Sequence, residues 1–144
     1  MSESTATVAI FNASDDTVEM LKIILAERGY RVVSGEVDHV KSGALDFIAF
    51  MAAQRPDAIV WDIAPPYDRN WKFFKLLRSA EIVKQCHVVL TTTHKQHLDS
   101  LAGEETGAIE IVGKPYDLKV IADSVARGLD GLSRPELHHF RARE

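Results

Sequence analysis

Pro56-Asp57-Ala58-Ile59-Val60-Trp61-Asp62-Ile63-Ala64-Pro65-Pro66 is the stretch that decides the fold. Residues 58–61 are four consecutive apolar side chains, too short for a helix and too continuous for a strand with one wet face. They read as a strand buried on both sides of a sheet. A carboxylate closes the run at Asp62, and two prolines soon after it forbid the strand from continuing. An acidic side chain at the end of a fully buried strand costs desolvation unless partners surround it. That position therefore marks either a turn cap or a site.

Working outward, the same short apolar run recurs at a regular interval. Thr7-Val8-Ala9-Ile10-Phe11 is β-branched and ends in the turn-forming group Asn12-Ala13-Ser14-Asp15. Asp16 stands three residues before Glu19, an N-cap pairing, and Val18, Leu21, Ile24 and Leu25 then follow at helical spacing until Gly29. Strands are expected over 7–11, 31–34, 58–61, 88–91 and 109–112. Helices are expected over 40–54, 68–79, 95–102 and 117–129, in addition to the one that ends at Gly29. Five strand-helix pairs call for a doubly wound α/β fold, because parallel neighbours need crossovers that cover both faces of the sheet. The expected order is 2-1-3-4-5, which brings the ends of the first and third strands together at the switch point where open sheets bind ligands.

Composition sets the outer limits. With 144 residues, 46% of them apolar, the chain has the size of one domain with one core. Residues 1–130 are expected to form it and 131–144 a tail, where Ser133-Arg134-Pro135 breaks the last helix. Seventeen basic and 21 acidic residues leave a net charge of −4, which gives no electrostatic reason to expect nucleic acid. No apolar run approaches the roughly 20 residues that span a bilayer, and the first residues lack the order of a secretory signal. A cytoplasmic location is expected. The lone Cys86 has no neighbouring base to activate it. His94 and His97 have metal-like spacing without further ligands, and read as solvated helix residues. Phe47, Phe50, Trp61, Phe73 and Phe74 need only be core packing, whereas Tyr67 and Trp71 are expected beside the pocket entrance.

Four features meet at the carboxyl edge: the turn after the first strand, Asp62, Thr91-Thr92-Thr93, and Lys114-Pro115. A carboxylate, a hydroxyl and an ammonium are the parts that phosphoryl transfer requires, since that chemistry is mainly positioning and charge neutralisation. From about Thr7 to Leu129 the chain resembles the receiver domain of two-component response regulators. The resemblance rests on the segment around Asp62 with its following proline, on Gly107-Ala108, and on Lys114-Pro115.

That resemblance implies Asp62 as phosphoacceptor, Thr92 as the switch hydroxyl by counting back from Lys114, and Lys114 as the phosphate-pairing lysine, with a cis Lys114–Pro115 bond. It also implies Mg²⁺ held by Asp62, the Ala64 backbone carbonyl and Asn12. Here the sequence departs from the family: Asn12 and Ala13 stand where receivers usually carry two adjacent acids, which makes a poorer magnesium site. Ile111 stands where the family has an aromatic switch residue. The implied function is that of a stand-alone response regulator in a phosphorelay. It would take its phosphoryl group from a histidine kinase or phosphotransfer protein and signal to a downstream protein partner, with a homodimer formed through the fourth helix, fifth strand and fifth helix. No output domain and no enzymatic activity beyond its own phosphorylation and dephosphorylation are expected. The alternatives are a phosphorylation-independent pseudo-receiver of the same fold and a flavodoxin-like cofactor protein. The last is disfavoured by the charges of Asp15 and Asp16 in the would-be phosphate loop.

Overall fold

The computed structural model describes residues 5–12, 15–102, 109–113 and 118–132. Five strands, β1 (Thr7–Asn12), β2 (Arg31–Glu36), β3 (Ala58–Ile63), β4 (His87–Thr92) and β5 (Ile109–Gly113), form one parallel sheet in the order β2-β1-β3-β4-β5. The doubly wound topology expected from the strand-helix alternation is the one observed. Both edges of the central strand are satisfied: Ala58 to Ile63 pair with His87 to Thr92, and Val8 to Phe11 pair with Ala58 to Trp61. Asp57 pins the start of β3, its carboxylate accepting from the Thr7 N–H at 2.9 Å while its own N–H donates to the Thr7 carbonyl at 2.7 Å.

Seven helices among the described residues cover the two faces: α1 (Asp15–Glu27), α2 (Val37–Ser42), α3 (Phe47–Gln54), α4 (Tyr67–Arg78), α5 (Glu81–Lys84), α6 (Lys95–Ala102) and α7 (Leu118–Leu132). The period-two alternation of each strand divides the core between them. Val8, Ile10, Val60 and Val89 face α1 and α7, where they meet Leu21, Leu25, Ile121 and Val125. Phe11, Ile59, Trp61 and Leu90 face the other side and meet Phe47, Met51, Phe74 and Leu98. Trp61 is the hub of that second layer. Its ring lies 5.1 Å from both Phe11 and Phe74 and 5.7 Å from Phe47, an aromatic packing that fixes β3 from beneath.

Three expectations need correction. The segment 40–54 is two helices rather than one. Gly43 takes a left-handed conformation, with φ 85, and ends α2, and the Asp46 carboxylate accepts from the Ala49 N–H at 3.1 Å to start α3. Asp16 is not a cap, because α1 already begins at Asp15; Gly29 does end that helix, with the Tyr30 N–H returning to the Leu25 carbonyl at 3.3 Å. Trp71 is a core residue, 4% exposed and packed toward Phe74, rather than part of a pocket rim. The fourth and fifth helices of the sequence reading correspond to α6 and α7. The last helix runs to Leu132, three residues past its expected end at 129, and residues 133–144 of the expected tail lie outside the described residues.

Candidate functional site at the carboxyl edge

Asp62 is the penultimate residue of β3, 7% exposed, and shares the side of the sheet that Val60 takes toward α1 and α7. Its partner across the β3–β4 ladder is Thr91, and in a parallel sheet paired residues project to the same face. The Thr91 Oγ1 accordingly donates to Asp62 Oδ1 at 2.6 Å, a short charge-assisted bond between two buried groups. Thr92, where counting placed the switch hydroxyl, is one residue further and therefore on the opposite face. It pairs with Ile63, is fully buried, and its hydroxyl accepts from the His94 N–H at 3.3 Å. The hydroxyl that meets the carboxylate is that of Thr91. Strand alternation sets this pairing: once Asp62 and Val60 share a face, the β4 residue paired with Asp62 is the one whose side chain meets it.

Asn12 closes β1 at the same edge, 5% exposed. Ala13 lies outside the described residues, as do Lys114 and Pro115 with the bond between them, and Gly107-Ala108. Ile111 sits in β5 opposite Leu90 and packs against the Trp61 side of the core. A cis bond joins Pro65 to Pro66 in the loop after Asp62.

That loop is held from α4. Asn70, in the first turn of the helix, folds back so that its Nδ2 donates to the Ala64 carbonyl at 2.7 Å, while its Oδ1 accepts from Lys41 Nζ on α2 at 2.7 Å. The carbonyl implied as a metal ligand thus already receives a hydrogen bond. With the Asn12 carboxamide in place of acids, only Asp62 among the three implied ligands is a carboxylate, and that ligand set does not fit Mg²⁺, which draws its charge from carboxylates. Among the described residues no group of three or more His, Cys, Asp or Glu side chains could hold a metal ion.

Beside the loop, α4 meets the start of α6. The Tyr67 hydroxyl is hydrogen-bonded to Thr93 Oγ1, and His97 Nε2 lies 2.8 Å from Asp68 Oδ1. The Tyr67 ring touches His94 and His97 at centroid distances of 5.8 and 5.7 Å. The two histidines, expected as solvated helix residues, are exposed or partly exposed; His94 precedes α6, and both rings lie against Tyr67 of α4. Tyr67 does lie at the edge, as expected. Cys86 lies at the far end of the sheet, with its thiol donating to the Pro56 carbonyl at 3.1 Å; burial, and secondarily the Asp57 charge, push it up to about 12.

No family model matches the chain. The signal receiver domain of a signal transduction histidine kinase from Syntrophus aciditrophicus superposes with a TM-score of 0.71 at 26% identity, over 92% of this chain and 96% of that one. This chain is a receiver domain. The chemotaxis response regulator CheY4 of Vibrio cholerae shares the fold, with a TM-score of 0.68 at 21% identity, over 87% of this chain and 99% of that one. By sequence the receiver domain is 25% identical to protein PilH of Pseudomonas aeruginosa over 124 residues, 85% of this chain and 98% of that protein. It is 27% identical to the transcriptional regulatory protein AfsQ1 of Streptomyces coelicolor over 108 residues, and there it spans 44% of the relative's length.

Proposed function

We propose that this receiver domain acts as a stand-alone response regulator in a phosphorelay, with Asp62 as the residue that takes the phosphoryl group. One observation carries the reading: a buried carboxylate at the carboxyl edge of the central strand, with a hydroxyl donor 2.6 Å away on the neighbouring strand. A carboxylate oxygen attacks phosphorus, the new P–O bond forms as the P–N bond of a donor phosphohistidine breaks, and the imidazole nitrogen keeps the electron pair. The Thr91 hydroxyl then lies within reach of the transferred oxygens, and Lys114 is the residue proposed to neutralise their charge. The donor is proposed to be a histidine kinase or phosphotransfer protein, and the readout a downstream protein partner or a second copy meeting the face built by α6, β5 and α7. Turnover is limited to the protein's own phosphorylation and dephosphorylation. No helix among the described residues is long and apolar enough to cross a membrane, which is compatible with the cytoplasmic setting proposed here.

Incubation with acetyl phosphate or a phosphorylated phosphotransfer protein, followed by intact mass, tests the reading. Wild type should gain one phosphoryl group and Asp62→Asn none. An unmodified wild type under both conditions would sink the phosphoacceptor role. It would favour the pseudo-receiver alternative, to which the poor Mg²⁺ donor set already lends support.

A further inference from the structure

Asn70 is bonded on both sides of its carboxamide, and its partners leave only one orientation. An ammonium can only donate, so Oδ1 faces Lys41 Nζ at 2.7 Å; a backbone carbonyl can only accept, so Nδ2 faces the Ala64 oxygen at 2.7 Å. The result is a two-bond relay that carries the polarity of a cation on α2 to the carbonyl two residues after Asp62. The Lys41 charge polarises the amide and strengthens its N–H as a donor. A carbonyl that accepts a polarised N–H presents less electron density, and less open space, to a second positive partner.

We propose that Asn70, oriented by Lys41, is a positioning residue that stands in for a divalent cation at the Ala64 carbonyl. It sets the loop after Asp62 without metal, and an ion that takes the Ala64 carbonyl as a ligand competes with it. Two independent observations point the same way. The end of β1 offers the Asn12 carboxamide rather than a carboxylate, and the loop carbonyl is already engaged. The inference rests on reading the Asp62 edge as the place where a cation would bind, but not on whether Asp62 is phosphorylated.

The test is a Mg²⁺ titration of the full chain, followed by the backbone amide shifts of Ile63 and Ala64, on wild type and on Asn70→Ala, Asn70→Asp and Lys41→Ala. Asn70→Ala frees the carbonyl and should tighten Mg²⁺ binding about tenfold, equivalent to about 1.4 kcal/mol. Asn70→Asp keeps the shape and the Lys41 contact but turns a donor into a repelling oxygen, so it should tighten binding at least as much. Lys41→Ala, which removes only the orienting partner, should shift affinity in the same direction by a smaller factor. Circular dichroism on each variant confirms that the fold is retained. Equal or weaker Mg²⁺ binding in both Asn70 variants overturns the proposal, because a merely structural asparagine would lower affinity when its loop contact is lost. Absence of binding in every variant overturns it too, since Asn70 would then not be what keeps the ion away. Intact-mass phosphorylation of the same samples reports on Asp62 separately, so the two readings fail by different signals.

Discussion

A hydroxyl that donates to a buried carboxylate has few substitutes, because the oxygen it serves has left water. Removing Thr91 Oγ1 while keeping its branched shape, as Thr91→Val, leaves Asp62 Oδ1 one donor short. The expected loss is about 1–3 kcal/mol in urea denaturation. The same substitution should slow phosphoryl uptake by about tenfold to a hundredfold, the range for losing one donor aimed at developing charge. Thr92→Val should leave the rate within a few-fold of wild type, since its hydroxyl serves the His94 N–H on the other face of the sheet. Equal rates for the two variants would reject the assignment to Thr91. Counting along the chain from Lys114 leads to Thr92, one residue past the hydroxyl that donates to Asp62. An offset of one is invisible to counting but reverses the face of a strand side chain. Asp62 itself was legible because a charged residue ending a buried run is conspicuous in sequence. Asn70 and Lys41 were not, since a contact between α2 and α4 leaves no local pattern.

At the scale of elements, the strands were legible from short apolar runs and the helix surfaces from their spacing. The break within 40–54 was missed although both of its signals were present: a glycine able to turn left-handed at Gly43, and Asp46 three residues before the amide it caps. The apolar pattern on either side of the break is in phase, and it masked them. Another element contact lies wholly outside sequence reading. His87 begins β4 on the face covered by α7, and a Cβ built on Gly128 would come within 1.9 Å of its ring. The ring is 6% exposed and has little room to withdraw. Gly128→Ala would gain about 1 kcal/mol of helix propensity in isolation. Here it should instead lose about 1–3 kcal/mol through overpacking. Shrinking the ring in the double variant His87→Ala, Gly128→Ala should return part of that loss, giving a favourable coupling in a double-mutant cycle. Additive effects of the two substitutions would show that helix and ring are not in contact.

For the molecule as a whole, Cys86 reports on the integrity of the sheet. It precedes β4 at the end opposite Asp62, is 5% exposed, and its thiol is tied to the Pro56 carbonyl just before β3. Burial raises its pKa from 9.0 to about 12, so the folded state holds the thiol proton at pH values where the unfolded chain has released it. The sign of the linkage follows: with more protons bound in the native state, stability falls as pH rises. The contribution is whole below about pH 9 and is lost progressively toward pH 12, with a limiting slope of about 1.4 kcal/mol per pH unit for one proton. Urea midpoints measured from pH 8 to pH 11 on wild type and Cys86→Ala should therefore diverge in shape, the wild type declining more steeply above pH 9. At pH 8 without denaturant, a thiol reagent should label Cys86 only through opening of the β3–β4 end, and labelling should accelerate together with loss of the circular dichroism signal. Rapid labelling of the native protein would mean that this end opens independently of the edge that carries Asp62, and the sheet would not be one cooperative unit.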